Sequence, residues 1–185
     1  RVREVEQNPP IRQTGNIVGS PSWELRFVDE NSRRATDTDL RWADAVLTSG
    51  MHVQRAQILD LIARAHAHGT PVVLGGPSVS GCPEFYPDAD ILHLGELGDA
   101  TDRLLEYLDS HAGRPKSQLR FETAERLPLA EFPAPAYDLI DIREYFIANV
   151  QFSSGCPYTC EFCDIPALYG RNPRLKTPEQ VLAEL

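Results

Sequence analysis

Residues 150–170 read VQFSSGCPYTCEFCDIPALYG and hold three of the chain's four cysteines, Cys156, Cys160 and Cys163, in the spacing C-x3-C-x2-C. Thiols packed this closely suit a soft metal, a cluster or a disulfide. A structural zinc site takes four ligands, so a distant residue such as Cys82 or a histidine would have to complete it. A disulfide pairs two of the thiols and strands the third. An iron–sulfur cluster is usually held by four thiolates. Three would imply a cubane with one iron left open, able to bind and activate a second molecule. Four cysteines in a chain of 185 residues, three of them in one loop, do not make a disulfide scaffold. They fit a reducing, cytoplasmic compartment and metal or cluster ligation. Cys82, next to Pro83, reads as a small buried residue.

The elements that must position this loop follow from the apolar pattern. Asn149–Phe152 reads as a strand running straight into the cysteines. After them, Thr177-Pro178-Glu179-Gln180 is a helix start, with Thr as N-cap, Pro at the first position and Gln three residues after the cap. Upstream, Trp23–Val28 (WELRFV) alternates and is expected to be a strand. Residues 37–44 form a short helical turn, and 45–48 (AVLT) a brief buried strand ending at Ser49-Gly50. Met51–His68 is the clearest helix: Ile58, Leu61, Ile62 and Ala65 make one apolar stripe, and Gly69 closes it. PVVL (71–74) is a strand opening into Gly75-Gly76-Pro77. Ala89–Leu94 is another, ending at Gly95-Glu96, and Asp99–Leu108 follows as a helix with Leu104, Leu105 and Leu108 inward.

Short apolar strands alternating with helices predict a Rossmann-like, doubly wound α/β domain with a parallel sheet. Ligands bind beyond the carboxyl ends of such strands. Those ends carry Ser49-Gly50, Gly75-Gly76-Pro77 and Gly95-Glu96. The glycines either let backbone approach a ligand or simply make tight turns. Residues 116–127 alternate weakly, as in a small hairpin, and Pro128, Pro133 and Pro135 mark a linker. The domain organisation expected is an α/β domain over 1–112, a Pro-rich linker over 113–148 and a second α/β unit opening at 149–185. The polar stretch 1–22 has no clean period, which leaves the first sheet incomplete at its amino end.

Composition sets outer limits. The chain is 42% hydrophobic and 24% charged, ordinary for a globular protein. A net charge of -9 repels nucleic acid and anionic membranes. No apolar run approaches the roughly 20 residues of a membrane-spanning helix, so the chain reads as soluble. It starts at Arg1 and stops at Leu185 inside an apparent helix, and so reads as a piece of a longer protein, inactive alone.

The sequence C-x3-C-x-aromatic-C after a strand, here Cys156-Pro-Tyr-Thr-Cys160-Glu-Phe162-Cys163, resembles the cluster motif of the radical S-adenosylmethionine (SAM) enzymes. The resemblance implies that Cys156, Cys160 and Cys163 hold a [4Fe-4S] cluster whose fourth iron takes SAM, and that Phe162 lies near the SAM adenine. It also implies a partial TIM barrel, of which 149–185 would be the first β/α unit. LTSGM (47–51), VLGGP (73–77) and LGELGD (94–99), followed by a Pro-rich linker, look like the cobalamin-binding domain found ahead of many such enzymes. Ser49, Gly50, Gly75, Gly76, Pro77, Gly95 and Glu96 would then contact cobalamin. WELRFVDEN, WADAVLTSGM and the run from Gly155 to Leu185 look most like the branch that includes the hopanoid C-2 methylases. The motif D-x-H-x-x-G, whose histidine ligates cobalt, is absent.

By that resemblance the protein is a cobalamin-dependent radical SAM enzyme. It would methylate an unactivated carbon of a hydrophobic or other small molecule, a lipid-like one included, through a 5'-deoxyadenosyl radical. Flavodoxin or ferredoxin would supply electrons. Oxidation or rearrangement without methylation, a zinc-holding interaction module, and a cobalamin sensor remain as alternatives. His66 and His68 read as surface residues at a helix end, Asp99, Asp102 and Asp109 as a solvated helix face, and Trp23 and Trp42 as core. Arg171 or Lys176 is a candidate for meeting the SAM carboxylate.

Overall fold

The computed structural model describes residues 23–185; the amino-terminal stretch 1–22 and the expectation attached to it lie outside the described residues. Four short strands make one parallel sheet: β1 (Val46–Ser49), β2 (Val72–Gly75), β3 (Ile91–Leu94) and β4 (Leu119–Glu122), in the order β1-β2-β3-β4. Val46 stands opposite Val72, Val73 opposite Ile91, and Ile91 opposite Leu119. A parallel sheet is covered on both faces, so its inner strands read as unbroken apolar runs. Val72, Leu74 and Leu92 accordingly have no exposed surface.

Helices pack on both faces. On one, α1 (Asp37–Trp42), α2 (Arg55–Ala67) and α3 (Pro77–Gly81) set Leu40, Ile58, Leu61, Ile62, Ala65 and Val79 against Val72, Leu74 and Leu92. On the other, Leu104, Tyr107 and Leu108 of α4 (Asp99–Ser110) meet Val73, Ile91, Leu119 and Phe121. Burying each such aliphatic side chain stabilises the fold by roughly 1.5–3 kcal/mol. The expected α/β architecture with a parallel sheet is therefore present. Local signals act where the sequence placed them. Thr36 and Asp39 close a capping box at α1, and Gly69, at φ 76°, ends the α2 turn with its N–H on the His66 carbonyl.

Two strand expectations are corrected. Trp23–Val28 forms no strand; it runs in extended coil across the α4 face of the sheet beside β1. Its alternation reports an extended chain with one apolar side, and it has no ladder partner among the described residues. Residues 116–127 do not fold back as a hairpin. They supply β4, which pairs parallel to β3 and widens the sheet.

The cysteine loop belongs to a smaller unit. β5 (Ser153–Ser154) begins later than the strand expected at 149–152 and pairs antiparallel with β6 (Arg174–Leu175). Between them lie the loop and α5 (Ile165–Tyr169); α6 (Pro178–Glu184) follows, capped by Thr177 and Gln180 as its sequence predicts. α5 rests on α3, close enough that a Cβ at Gly81 would stand 3.7 Å from Leu168 Cδ2. Among the described residues no helix is long and apolar enough to cross a membrane.

Candidate cofactor site

The carboxyl ends of β1, β2 and β3 converge on one rim. Gly76, at φ 90°, turns the β2 loop under the end of β1, where an added Cβ would come within 2.9 Å of Ser49 Cβ. No other residue allows both this backbone conformation and this approach. The Ser78 N–H donates to the Gly50 carbonyl at 3.3 Å and joins the two loops. Ser49, Gly50, Gly75, Gly76 and Pro77 are thus brought together.

Below this rim a cleft of about 600 Å³ opens on the α4 face of the sheet. Leu47, Ser49, Val73, Gly75 and His93 form its floor, Thr101, Leu104 and Leu105 of α4 one wall, and the Trp23–Asn31 segment another. His93 Nε2 lies 2.9 Å from Thr101 Oγ1, and Thr101 Oγ1 accepts the Gly98 N–H at 3.2 Å. Burial holds the His93 imidazole below its ordinary range, against weaker upward pulls from its own backbone and Asp99. The cleft is lined mainly by apolar groups, with uncharged Thr48, Ser49 and Thr101 on the sheet and α4 side and the charged Arg26, Asp29 and Glu30 along the Trp23–Asn31 wall. A mostly apolar slot with a few polar groups is the usual make-up of a small-molecule site. His93 and Thr101 were missed as candidates. Period-2 alternation from Ile91 places His93 on this face, and that signal was available.

Cys156, Cys160 and Cys163 are all free thiols. The loop that carries them is tied at both ends. Cys156 N–H donates to the Gly170 carbonyl at 3.0 Å, and Gly155, at φ 89°, passes so close to strand-flanking carbonyls that a Cβ would come within 2.9 Å of Asn172 O. Ala167 N–H and Leu168 N–H both close on the Asp164 carbonyl, at 3.0 and 2.9 Å. Between the anchors, residues 157–162 are exposed throughout, and Phe162 is 92% exposed. Among the described residues no three His, Cys, Asp or Glu side chains stand together as a metal-binding group. The donors fit a three-thiolate cluster in kind, number and sequence spacing, although the structure does not group them as a metal-binding set.

Glu96 and Gly95 follow β3, and Glu96 is turned away from the cleft. Its buried carboxylate accepts from Ser154 Oγ at 2.6 Å and from the Arg174 guanidinium, with Arg126 Nε at 3.5 Å. Burial, with the Glu96 charge adding to it, raises the Tyr169 phenol above its ordinary range. Ser154, Arg126 and Arg174 carried no local signal in the sequence.

Several smaller expectations change. Lys176 is buried and paired with Glu184, whereas Arg171 is exposed. His66 is not a plain surface residue: its Nε2 lies 2.8 Å from buried Asp90. Asp99 accepts the Ala124 and Glu125 N–H groups, each at 2.9 Å, and Asp109 bonds the Trp23 indole. Asp102 and Asp109 are exposed, as a solvated face requires, but Asp99 and Asp109 also serve as ties, and Trp23 lines the cleft instead of the core. Cys82 is half-buried at the end of α3.

No protein-family model matches the chain, and no solved structure matches it. Among curated proteins it is 60% identical over 163 residues to the hopanoid C-2 methylase of Rhodopseudomonas palustris strain TIE-1, covering 88% of this chain and 31% of that protein. It is 41% identical over 165 residues to an uncharacterised methyltransferase of Synechocystis sp., covering 88% of this chain and 30% of the relative. It is 38% identical over 58 residues to the hopanoid C-3 methylase of Methylococcus capsulatus, covering 28% and 11%. The likeness to the hopanoid C-2 methylase branch is thereby shown across most of the chain. The chain spans about a third of the length of the first two relatives.

Proposed function

We propose that this chain carries the cobalamin-binding and cluster-binding parts of a radical SAM methyltransferase acting on an unactivated carbon of a hydrophobic small molecule. The observation that carries the reading is the set of three free thiols on one loop anchored at both ends and followed by α5, which packs on α3 just after the β2 loop. The 60% identity to a hopanoid C-2 methylase supports methyl transfer and a hydrophobic substrate. In this reading residues 1–112 form the cobalamin unit and 113–148 the linker, whose β4 adds to the sheet. Residues 149–185 open the partial barrel.

The roles divide by chemistry. Cys156, Cys160 and Cys163 would ligate three irons of a [4Fe-4S] cluster, leaving the fourth for SAM. When bound, the cluster supplies the electron that cleaves SAM, and cobalamin carries the methyl group. Phe162, exposed on the outer loop, is free to lie against the adenine. Ser49, Gly50, Gly75, Gly76 and Pro77 would bear on cobalamin, with part of the cofactor in the cleft beside neutral His93. The His93 imidazole is held there by its bond to Thr101 Oγ1. The chain's own task is to bind, orient and exclude water. A flavodoxin- or ferredoxin-like donor in a reducing compartment would supply electrons.

The test is SAM cleavage by the anaerobically purified, cluster-loaded intact protein with dithionite and methylcobalamin. Release of 5'-deoxyadenosine together with S-adenosylhomocysteine is expected. Intact SAM in the presence of a fully loaded cluster contradicts the reading. Release of 5'-deoxyadenosine alone points to oxidation or rearrangement in place of methylation.

A further inference from the structure

We propose that Glu96 is a positioning residue: it fixes the root of the cysteine loop to the carboxyl end of the α/β sheet, holding the two halves of the site at one separation. This rests on the reading of the loop as a cofactor loop.

The carboxylate is nine-tenths buried, its side chain 8% exposed, and both oxygens are engaged. Oε1 takes the Ser154 hydroxyl, and Oε2 takes Arg174 with Arg126 nearby. Ser154 and Arg174 are directly opposite in the β5–β6 ladder, and Arg174 Nη2 also donates to Ser154 Oγ at 3.0 Å. One carboxylate therefore grips both strands of the hairpin. Cys156 lies two residues beyond Ser154.

The arginines extend the grip. Arg126 Nη2 donates to the Leu168 carbonyl of α5 at 3.1 Å, and Arg174 Nη1 to the Leu127 carbonyl at 3.4 Å. On the sheet side, the Glu96 carbonyl accepts the Thr123 hydroxyl at 2.7 Å, just after β4. Glu96 thus bonds the segment after β4 through its main chain and the hairpin through its side chain. Without the carboxylate, two guanidinium groups would face each other around a buried hydroxyl, which repels instead of joining. Glu96 at the end of β3 is a natural candidate for a ligand contact, but its oxygens are committed to the protein.

The experiment compares the wild-type chain with Glu96→Ala and Glu96→Gln by hydrogen exchange and by per-cysteine alkylation, both read by mass spectrometry. In Glu96→Ala the Cys156 and Lys176 amides, bonded in wild type to Gly170 and Phe152, should exchange at least tenfold faster. Cys156 should alkylate severalfold faster while Cys82 in the α/β unit and the α2 amides keep their wild-type rates. Glu96→Gln keeps the shape and one acceptor and should restore part of the protection. If Glu96→Ala fails to fold, Glu96→Gln alone carries the test, with Cys156 again faster than wild type. Wild-type exchange and alkylation at the hairpin in a folded variant overturn the proposal, as does a uniform rise across both units. Iron and sulfide are assayed separately on the wild type. Selective hairpin release alongside a wild type that takes no cluster upholds the positioning role and removes the cofactor reading instead.

Discussion

The α/β unit and the cysteine-loop unit are held by different forces. In the first, Val72, Leu74, Val79, Tyr86 and Leu92 are fully buried, and two apolar clusters cover the two faces of the sheet. From Ser153 onward no apolar residue of α5 or α6 is buried, and Phe162, Leu182 and Leu185 are 92%, 71% and 85% exposed. The buried side chains of that unit include Ser154, Lys176 and its partner Glu184, all polar and all bonded. Apolar burial is non-directional and sums with area. Polar ties depend on geometry and contribute little net stability each. The first unit has its own core, whereas the second is oriented on the first by a handful of directed bonds.

Stability measurements can break or sharpen this contrast. Leu74→Ala removes a fully buried side chain from β2 and should cost about 3 kcal/mol in denaturant unfolding, within the range for core truncation. A loss below about 1 kcal/mol would mean that the α/β core is not the stabilising centre. Asp90→Asn comes next. Burial pushes the Asp90 carboxyl up, but the Val72 N–H, Arg114 and His66 together hold it below the ordinary carboxylate range. Because the folded state favours the charged form, its contribution is complete above about pH 4 and fades as pH falls further through the folded pKa. Asp90→Asn should cost about 2 kcal/mol at pH 7 and flatten the acid limb of the stability profile. An unchanged acid limb would exclude Asp90 as the lock between α2, β2 and the Arg114 segment. Smallest is Leu182→Ala, on exposed α6, expected within about 0.5 kcal/mol of wild type. A loss as large as that at Leu74 would show that the second unit has an apolar core of its own.

How much of this was legible in the sequence follows the same division. α2, β2 and β3 were readable because their residues are chosen by burial: VVL and IL are unbroken apolar runs, and Ile58, Leu61, Ile62 and Ala65 keep helical spacing. The cysteine motif was readable as a candidate because its spacing is local. β4 was not, since LRFE has one face inward and local alternation does not say which strand it will join. Trp23–Val28 failed for the same reason: an extended chain with one apolar side looks like a strand whether or not an edge receives it. Glu96 was legible as the end of a strand but not as a tie, because its partners lie 58 and 78 residues away.

The most direct test of the central claim is the iron and acid-labile sulfide content of anaerobically purified protein, measured beside Cys160→Ala. The account predicts about four of each per chain, a brown chromophore that bleaches with dithionite, and loss of both in the variant. Tightly held zinc without sulfide in the wild type, or an undiminished cluster in Cys160→Ala, would contradict it.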